Sequence, residues 1–237
     1  LLGIARKSRV ITPEDKKATA YHEAGHALLH YYLPNSDPLH KVTVIPHGQA
    51  LGLSLSLPEK DTYSRSKSWL TDRIKIAMGG YVAERIVYEE TTTGTKNDIE
   101  QATNIARRMV TEWGMSDNLG FVSFGQDDEP IFIGKEIAQH KDYSEATAQK
   151  IDDEVKPLLD ESLEDTKRIL TEHKDQLVSL AEELVKKETL EDWEIRQLLG
   201  FESYAPARTF KQYGETSENS EPESVRDSDG EEQRGTD

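Results

Sequence analysis

Apolar positions between Ala20 and Leu33 recur at helical spacing, and the run is punctuated at both ends. Thr12-Pro13-Glu14-Asp15 supplies a hydroxyl cap, a proline at the first helical position and acids where the helix dipole favours them. Pro34 closes the run, so the pattern predicts a helix reaching Tyr31 or Leu33. KVTVI (41–45) is β-branched and bounded by Pro46, and LGLSLSL (51–57) alternates apolar and small polar residues until Pro58. Both read as strands, placed to be neighbours, the second with one packed and one exposed face. Trp69, Ile74, Ala77, Met78, Tyr81, Val82 and Ile86 predict a helix over 66–88 despite Gly79-Gly80, a pair that weakens a helix unless something packs closely against it.

TTTGTKND (91–98) is a turn feeding another helix, with Ile99, Ala102, Ile105, Ala106, Met109 and Val110 on one face. Gly114 and Gly120 bracket a loop before a predicted short strand, FVSF (121–124). From Tyr143 to about Leu199 the pattern is helical throughout, with Pro157 expected to kink or start a helix. Thr189-x-x-Asp192 reads as a capping box and Gly200 as a stop. The fold class is therefore mainly α with a small β element.

The organisation along the chain is a short basic connector (1–11), a folded domain (12–200, its helical C-terminal part 143–200) and a tail (201–237). The tail is rich in Ser, Glu, Gly and Thr, its acids outnumber Lys and Arg, and it reads as disordered. The chain starts at Leu1, which suggests a piece of something longer. With 237 residues and 35% hydrophobic content the chain can build one substantial core. A formal charge of −16 argues against nucleic acid as a partner, since that affinity rests on clustered Lys and Arg. The absence of cysteine removes disulfides and thiolate metal sites, leaving His, Asp and Glu as ligands. No run approaches the ~18 apolar residues of a membrane helix.

Against that background AYHEAGHALLHYYLP (20–34) stands out, because it concentrates three of the seven histidines. His22, Glu23 and His26 form H-E-x-x-H on a predicted helix, where residues four apart share a face and two imidazoles can converge on one ion. A catalytic zinc takes three protein ligands and activates water, and Glu23 lies where it could take that water's proton. Two incidental core histidines are the bland reading; the helical context and apolar surround favour the metal. His30 lies a further turn along, too far to join the same ion, and reads as a packed histidine. Leu29 and Tyr32 occupy the positions where a metzincin needs Gly and His, so that class is excluded. For the third ligand, spacing leaves His40, His47, Glu84 and Asp98 open.

Five segments in order, HEAGHAL, GLSLSLPE, MGGYVAERIVY, TTGTKNDIEQAT and ETLEDWEIRQLLG, resemble the peptidase domain of the FtsH family, membrane-anchored ATP-dependent zinc proteases. The likeness covers roughly Arg6 to Gly200 and implies a zincin-like helical peptidase domain with one Zn2+ per chain. It further implies Asp98 as third ligand, where the residue's own pattern suggests only an acid at a helix N-terminus. Glu84 is a candidate to orient a ligand histidine, with a solvated helix glutamate as the competing reading. The resemblance also places a strand edge beside the zinc, and Gly52, Leu53, Ser54 and Leu55 become candidates for docking an extended peptide.

The chain has no G-x-x-x-x-G-K-[ST], so ATP would act only through an upstream ATPase domain, with the transmembrane segments also upstream. The resemblance implies unfolded polypeptide substrates, a homo-hexameric ring and, for the full-length protein, the cytoplasmic face of a bacterial inner membrane. A different class of reading is a non-catalytic helical assembly module with a structural zinc, which would need a fourth ligand and leave Glu23 idle.

Overall fold

The computed structural model describes residues 12–46, 52–57, 64–125 and 143–201. The connector 1–11, His47 and the tail from residue 202 onward lie outside them. The first helix, α1 (Pro13–Tyr32), starts as its sequence dictates: Thr12 Oγ1 accepts from the Asp15 amide, Pro13 follows the cap, and extended Leu33 ends the helix ahead of Pro34. Ala20, Ala24, Ala27, Leu28 and Leu29 are fully buried, so α1 is the central helix of the core.

Strands β1 (Leu39–Thr43) and β2 (Leu53–Ser56) pair antiparallel, as neighbours, with Val42 opposite Ser54. Helix α2 (Lys67–Tyr88) crosses α1 at unusually short range: a Cβ on Gly25 would lie 2.3 Å from the Gly79 carbonyl oxygen. The two backbones touch, which is the close packing that a glycine pair inside a helix requires. A 3-10 turn (Thr93–Thr95) leads into α3 (Lys96–Thr111), which joins α2 and α4 (Glu145–Glu172) around a second apolar cluster centred on Ile74, Ala106, Met109 and Ile151. Helix α5 (Lys174–Lys187) returns Leu177, Leu180 and Leu184 to the first cluster, beside α1.

Three local expectations are corrected. FVSF forms no strand: Phe121 is fully exposed, and the Phe124 amide donates to the Thr111 carbonyl, tying the segment to the end of α3 instead of to a sheet. The region 143–199 is not helical throughout, because Thr189–Glu191 form β3, which pairs with β1 and completes the sheet order β2-β1-β3. That pairing takes Thr189 out of the capping box; α6 (Asp192–Leu199) is capped by Glu191 and Glu194 reciprocally. Of the two roles expected for Pro157, starting a helix is excluded, since it lies inside α4. Gly200 does stop α6, at φ 74°. Phe201, at the composition boundary of the tail, stacks on Tyr31 with ring centroids 4.9 Å apart. Among the described residues no helix is long and apolar enough to cross a membrane.

Candidate metal centre and active site

The helical repeat of α1 puts His22 and His26 on one face, and the glycine turn ahead of α3 brings Asp98, in that helix's first turn, across to them. His22 Nε2 and His26 Nε2 are 3.1 Å apart, and Asp98 Oδ2 lies 3.1 Å from the first and 3.3 Å from the second. These three residues are the group of His, Asp and Glu among the described residues whose ligand atoms converge closely enough for one ion.

Each ring's other nitrogen is committed. His22 Nδ1 donates to Glu84 Oε1 at 2.8 Å, and His26 Nδ1 donates to the Ile76 carbonyl at 2.7 Å. In the neutral rings those bonds place the lone pair on Nε2, facing a carboxylate oxygen that is itself buried and has no hydrogen-bond donor among the described residues. Three acceptors thus point at one another. A proton would satisfy one of the three contacts, whereas a divalent cation satisfies all of them. Donors at zinc's usual 2.0–2.1 Å in a tetrahedral set lie about 3.3–3.4 Å from one another, close to the separations found. The residues therefore fit a zinc ion.

The electrostatics follow from the same contacts. Burial alone would lower the His22 imidazole, but in the metal-free chain the Asp98 and Glu84 carboxylates outweigh it and push its pKa up to about 10, because a proton on the ring then takes the place a cation would fill. Burial would raise Asp98, yet the two histidines hold its carboxyl well below the usual range. Glu84 is buried and also lowered, since His22 and the Thr92 amide, which donates to Oε2 at 2.6 Å, outweigh desolvation. Glu23 goes the other way: burial raises its pKa, only partly opposed by His26 and His22.

Of the sequence candidates for a third ligand, Asp98 joins the histidines, and Glu84 stands behind His22. His40 is exposed on β1. His30 is buried but turned away, its Nδ1 donating to the Asp37 carbonyl at 2.8 Å. Strand β2 passes alongside Glu23, with Ser54 Oγ donating to Glu23 Oε2 at 2.8 Å. The expected division into one packed and one exposed face is not seen: all four residues of β2 are half-buried, Ser54 lying opposite buried Val42 and Leu53 opposite buried Thr43. β2 is terminal in the sheet, so among the described residues its second edge carries no strand.

Sequence reasoning missed Gly80, Thr92 and the Ile76 carbonyl. A Cβ at Gly80 would lie 2.3 Å from His22 Cε1, so the ring rests on the bare helix backbone. The Gly79-Gly80 pair was the available signal for that contact; nothing in the chain marks a backbone carbonyl as a histidine partner.

The sequence profile of Peptidase family M41 matches residues 9–198. An ATP-dependent zinc metalloprotease FtsH from Borreliella burgdorferi (strain ZS7) is 56% identical over 203 residues, covering 86% of this chain and 32% of that protein. A protein of the same name from Pseudothermotoga lettingae is 47% identical over 200 residues, or 84% of this chain and 32% of its own length. The FtsH of Magnetococcus marinus is 45% identical over 209 residues, 88% of this chain and 31% of that protein. The chain spans about a third of the length of the curated relatives it matches. A profile that covers the whole folded region, including both histidines and Asp98, places the chain in a family: it belongs to peptidase family M41.

Proposed function

We propose that this chain is the zinc-dependent endopeptidase part of a membrane-anchored ATP-dependent protease that degrades unfolded or membrane proteins. The observation that carries this reading is the convergence of His22 Nε2, His26 Nε2 and Asp98 Oδ2, with both ring tautomers set to present lone pairs. Those three atoms would hold the metal, which supplies Lewis acidity that polarises an amide carbonyl and makes water a nucleophile near neutral pH. Glu23 interacts electrostatically with all three ligand residues. Its carboxylate takes the proton of the attacking water and delivers it to the leaving amine nitrogen; the upward shift from burial suits a group that must both accept and release a proton. Glu84 orients His22 through Nδ1 and increases its basicity. Gly52, Leu53, Ser54 and Leu55 dock substrate as an added strand on the outer edge of β2, a main-chain recognition that tolerates many sequences.

For the whole protein, residues 1–11 would connect to an upstream ATPase domain and membrane segments, with the peptidase domains in a homo-hexameric ring at the cytoplasmic face of a bacterial inner membrane. Residues 201–237 would form an acidic extension. A structural zinc in a non-catalytic module is less well supported: the described residues bring three donors together, which leaves a position for water, and Glu23 would have no task. Metal analysis with an unfolded-casein assay tests the proposal. Wild type should bind one zinc and cleave, Asp98→Ala should lose both, and Glu23→Gln should keep zinc and lose cleavage. A wild-type chain that takes up no zinc, or a Glu23→Gln variant that still cleaves, would refute it.

A further inference from the structure

Two positions on one face of β2 meet the same side chain of α1. Gly52 leaves room for it: a Cβ there would lie 2.7 Å from both Cγ and Oε1 of Glu23. Ser54 supplies a donor, its Oγ 2.8 Å from Glu23 Oε2 and 3.2 Å from the Glu23 carbonyl. Residues two apart on a strand share a face, so β2 delivers a gap and a hydroxyl to one carboxylate. The hydroxyl's single proton goes to the charged oxygen, the stronger and closer acceptor. β1 fixes the register of this arrangement by pairing Val42 with Ser54, and a one-residue slip of β2 would turn Ser54 to the opposite face, away from Glu23.

We infer that Gly52 and Ser54 form a seat for the Glu23 carboxylate, and that Ser54 is a positioning residue for the proton-accepting group; this rests on the general-base role proposed for Glu23. A glutamate has three side-chain torsions, and the seat selects one arrangement of them before substrate arrives. The hydroxyl holds Oε2, while Oε1 lies against the bare Cα of Gly52. The serine of a Leu-Ser alternation thus turns its hydroxyl toward Glu23, the buried polar group it serves. A substrate added to the outer edge of β2 would meet a base whose direction is set from within the same strand.

The zinc-loaded chain tests this with Ser54→Ala, Ser54→Thr and Gly52→Ala on an unfolded peptide substrate. Ser54→Ala should lower kcat about tenfold, the effect of one positioning hydrogen bond, with KM and zinc affinity within twofold of wild type. Ser54→Thr keeps the hydroxyl and should recover most of kcat, while Gly52→Ala should lose kcat with zinc retained. Independently of catalysis, urea midpoints of the zinc-stripped chain should show Ser54→Ala and Glu23→Ala to be non-additive, the double variant shifting less than the sum. Additive midpoints, a rise in KM at unchanged kcat, or no recovery with threonine would overturn the seat. A wild-type chain that cleaves nothing would instead sink the protease reading, and the urea cycle would then decide the seat alone.

Discussion

Gly80 lies so close to the His22 imidazole that a methyl group there would stand 2.3 Å from Cε1 and 2.5 Å from both ring nitrogens. The ring cannot swing aside freely, because Glu84 holds Nδ1 and Nε2 must face Asp98. Gly80→Ala should therefore tilt the ligand and weaken zinc binding at least tenfold in a chelator competition. Helix propensity works the other way, favouring alanine by roughly 1 kcal/mol in a helix interior. The variant should consequently fold with a urea midpoint near wild type. Unchanged zinc affinity would show that the ring has slack the contact does not suggest.

Gly79 makes the opposite prediction. Its added Cβ would meet backbone, 2.8 Å from the carbonyl carbon and oxygen of Gly25, and no side-chain rotation relieves that. Gly79→Ala should push α1 and α2 apart and cost about 1–3 kcal/mol of stability, the usual range for overpacking. Urea unfolding of the zinc-stripped chain measures this without the metal's contribution.

Removing the charge behind His22 should be felt at the metal. Glu84→Gln keeps the shape but weakens the bond that fixes the Nδ1–H tautomer, and loss of such a partner costs about 10–100-fold in metal affinity. Thr92, whose amide holds Glu84 Oε2, should tolerate side-chain replacement better, because its main contact is through backbone. Equal zinc affinity and turnover in Glu84→Gln and wild type would remove Glu84 from the site.

The site's two histidines and Glu23 were legible from one local pattern, since a helix brings residues four apart together whatever the rest of the chain does. Asp98 was not: its own neighbourhood describes only a helix start, and what carries it to His22 is the packing of α3 on α2, a tertiary relationship. The long helices followed from periodicity, but β3 did not, because three residues between two helices show no alternation of their own and exist as a strand through pairing with β1. FVSF failed for the complementary reason, having strand-like residues and no partner strand among the described residues. The alternation in β2 did not sort into a packed and an exposed face, because Ser54 turns its hydroxyl to a buried carboxylate while the leucines stay half-buried.

His30 gives the fold an acid-sensitive point separate from the metal ligands. Burial lowers its pKa to about 4, with Arg73 on α2 and His26 on its own helix also opposing the charge, against favourable contacts with the Asp37 carbonyl and carboxylate. The folded state therefore keeps His30 neutral while the unfolded chain takes up a proton below its ordinary value of 6.5. Stability is retained above pH 6.5 and drains away as pH falls toward 4, by about 3 kcal/mol at roughly 1.4 kcal/mol per unit. His30→Asn, which can still donate to Asp37, should lose correspondingly less between pH 7 and pH 4. Urea midpoints of both proteins in excess chelator read the difference; parallel pH profiles would rule His30 out as the source.

Substrate docking on β2 has a signature that side-chain substitutions cannot mimic. An added strand bonds to its neighbour through alternate residues only, because successive amides of an extended chain point to opposite sides. The β1 side of β2 is occupied, so a peptide must use the outer edge. N-methylating one amide at a time along an extended peptide substrate should then raise KM in a period of two. Amides facing β2 should lose about three- to tenfold, one hydrogen bond's net worth of about 0.5–1.5 kcal/mol, and those facing solvent should lose almost nothing. A uniform loss along the peptide would mean that the methyl groups disturb some other contact, and no loss anywhere would mean that the substrate does not lie along this strand.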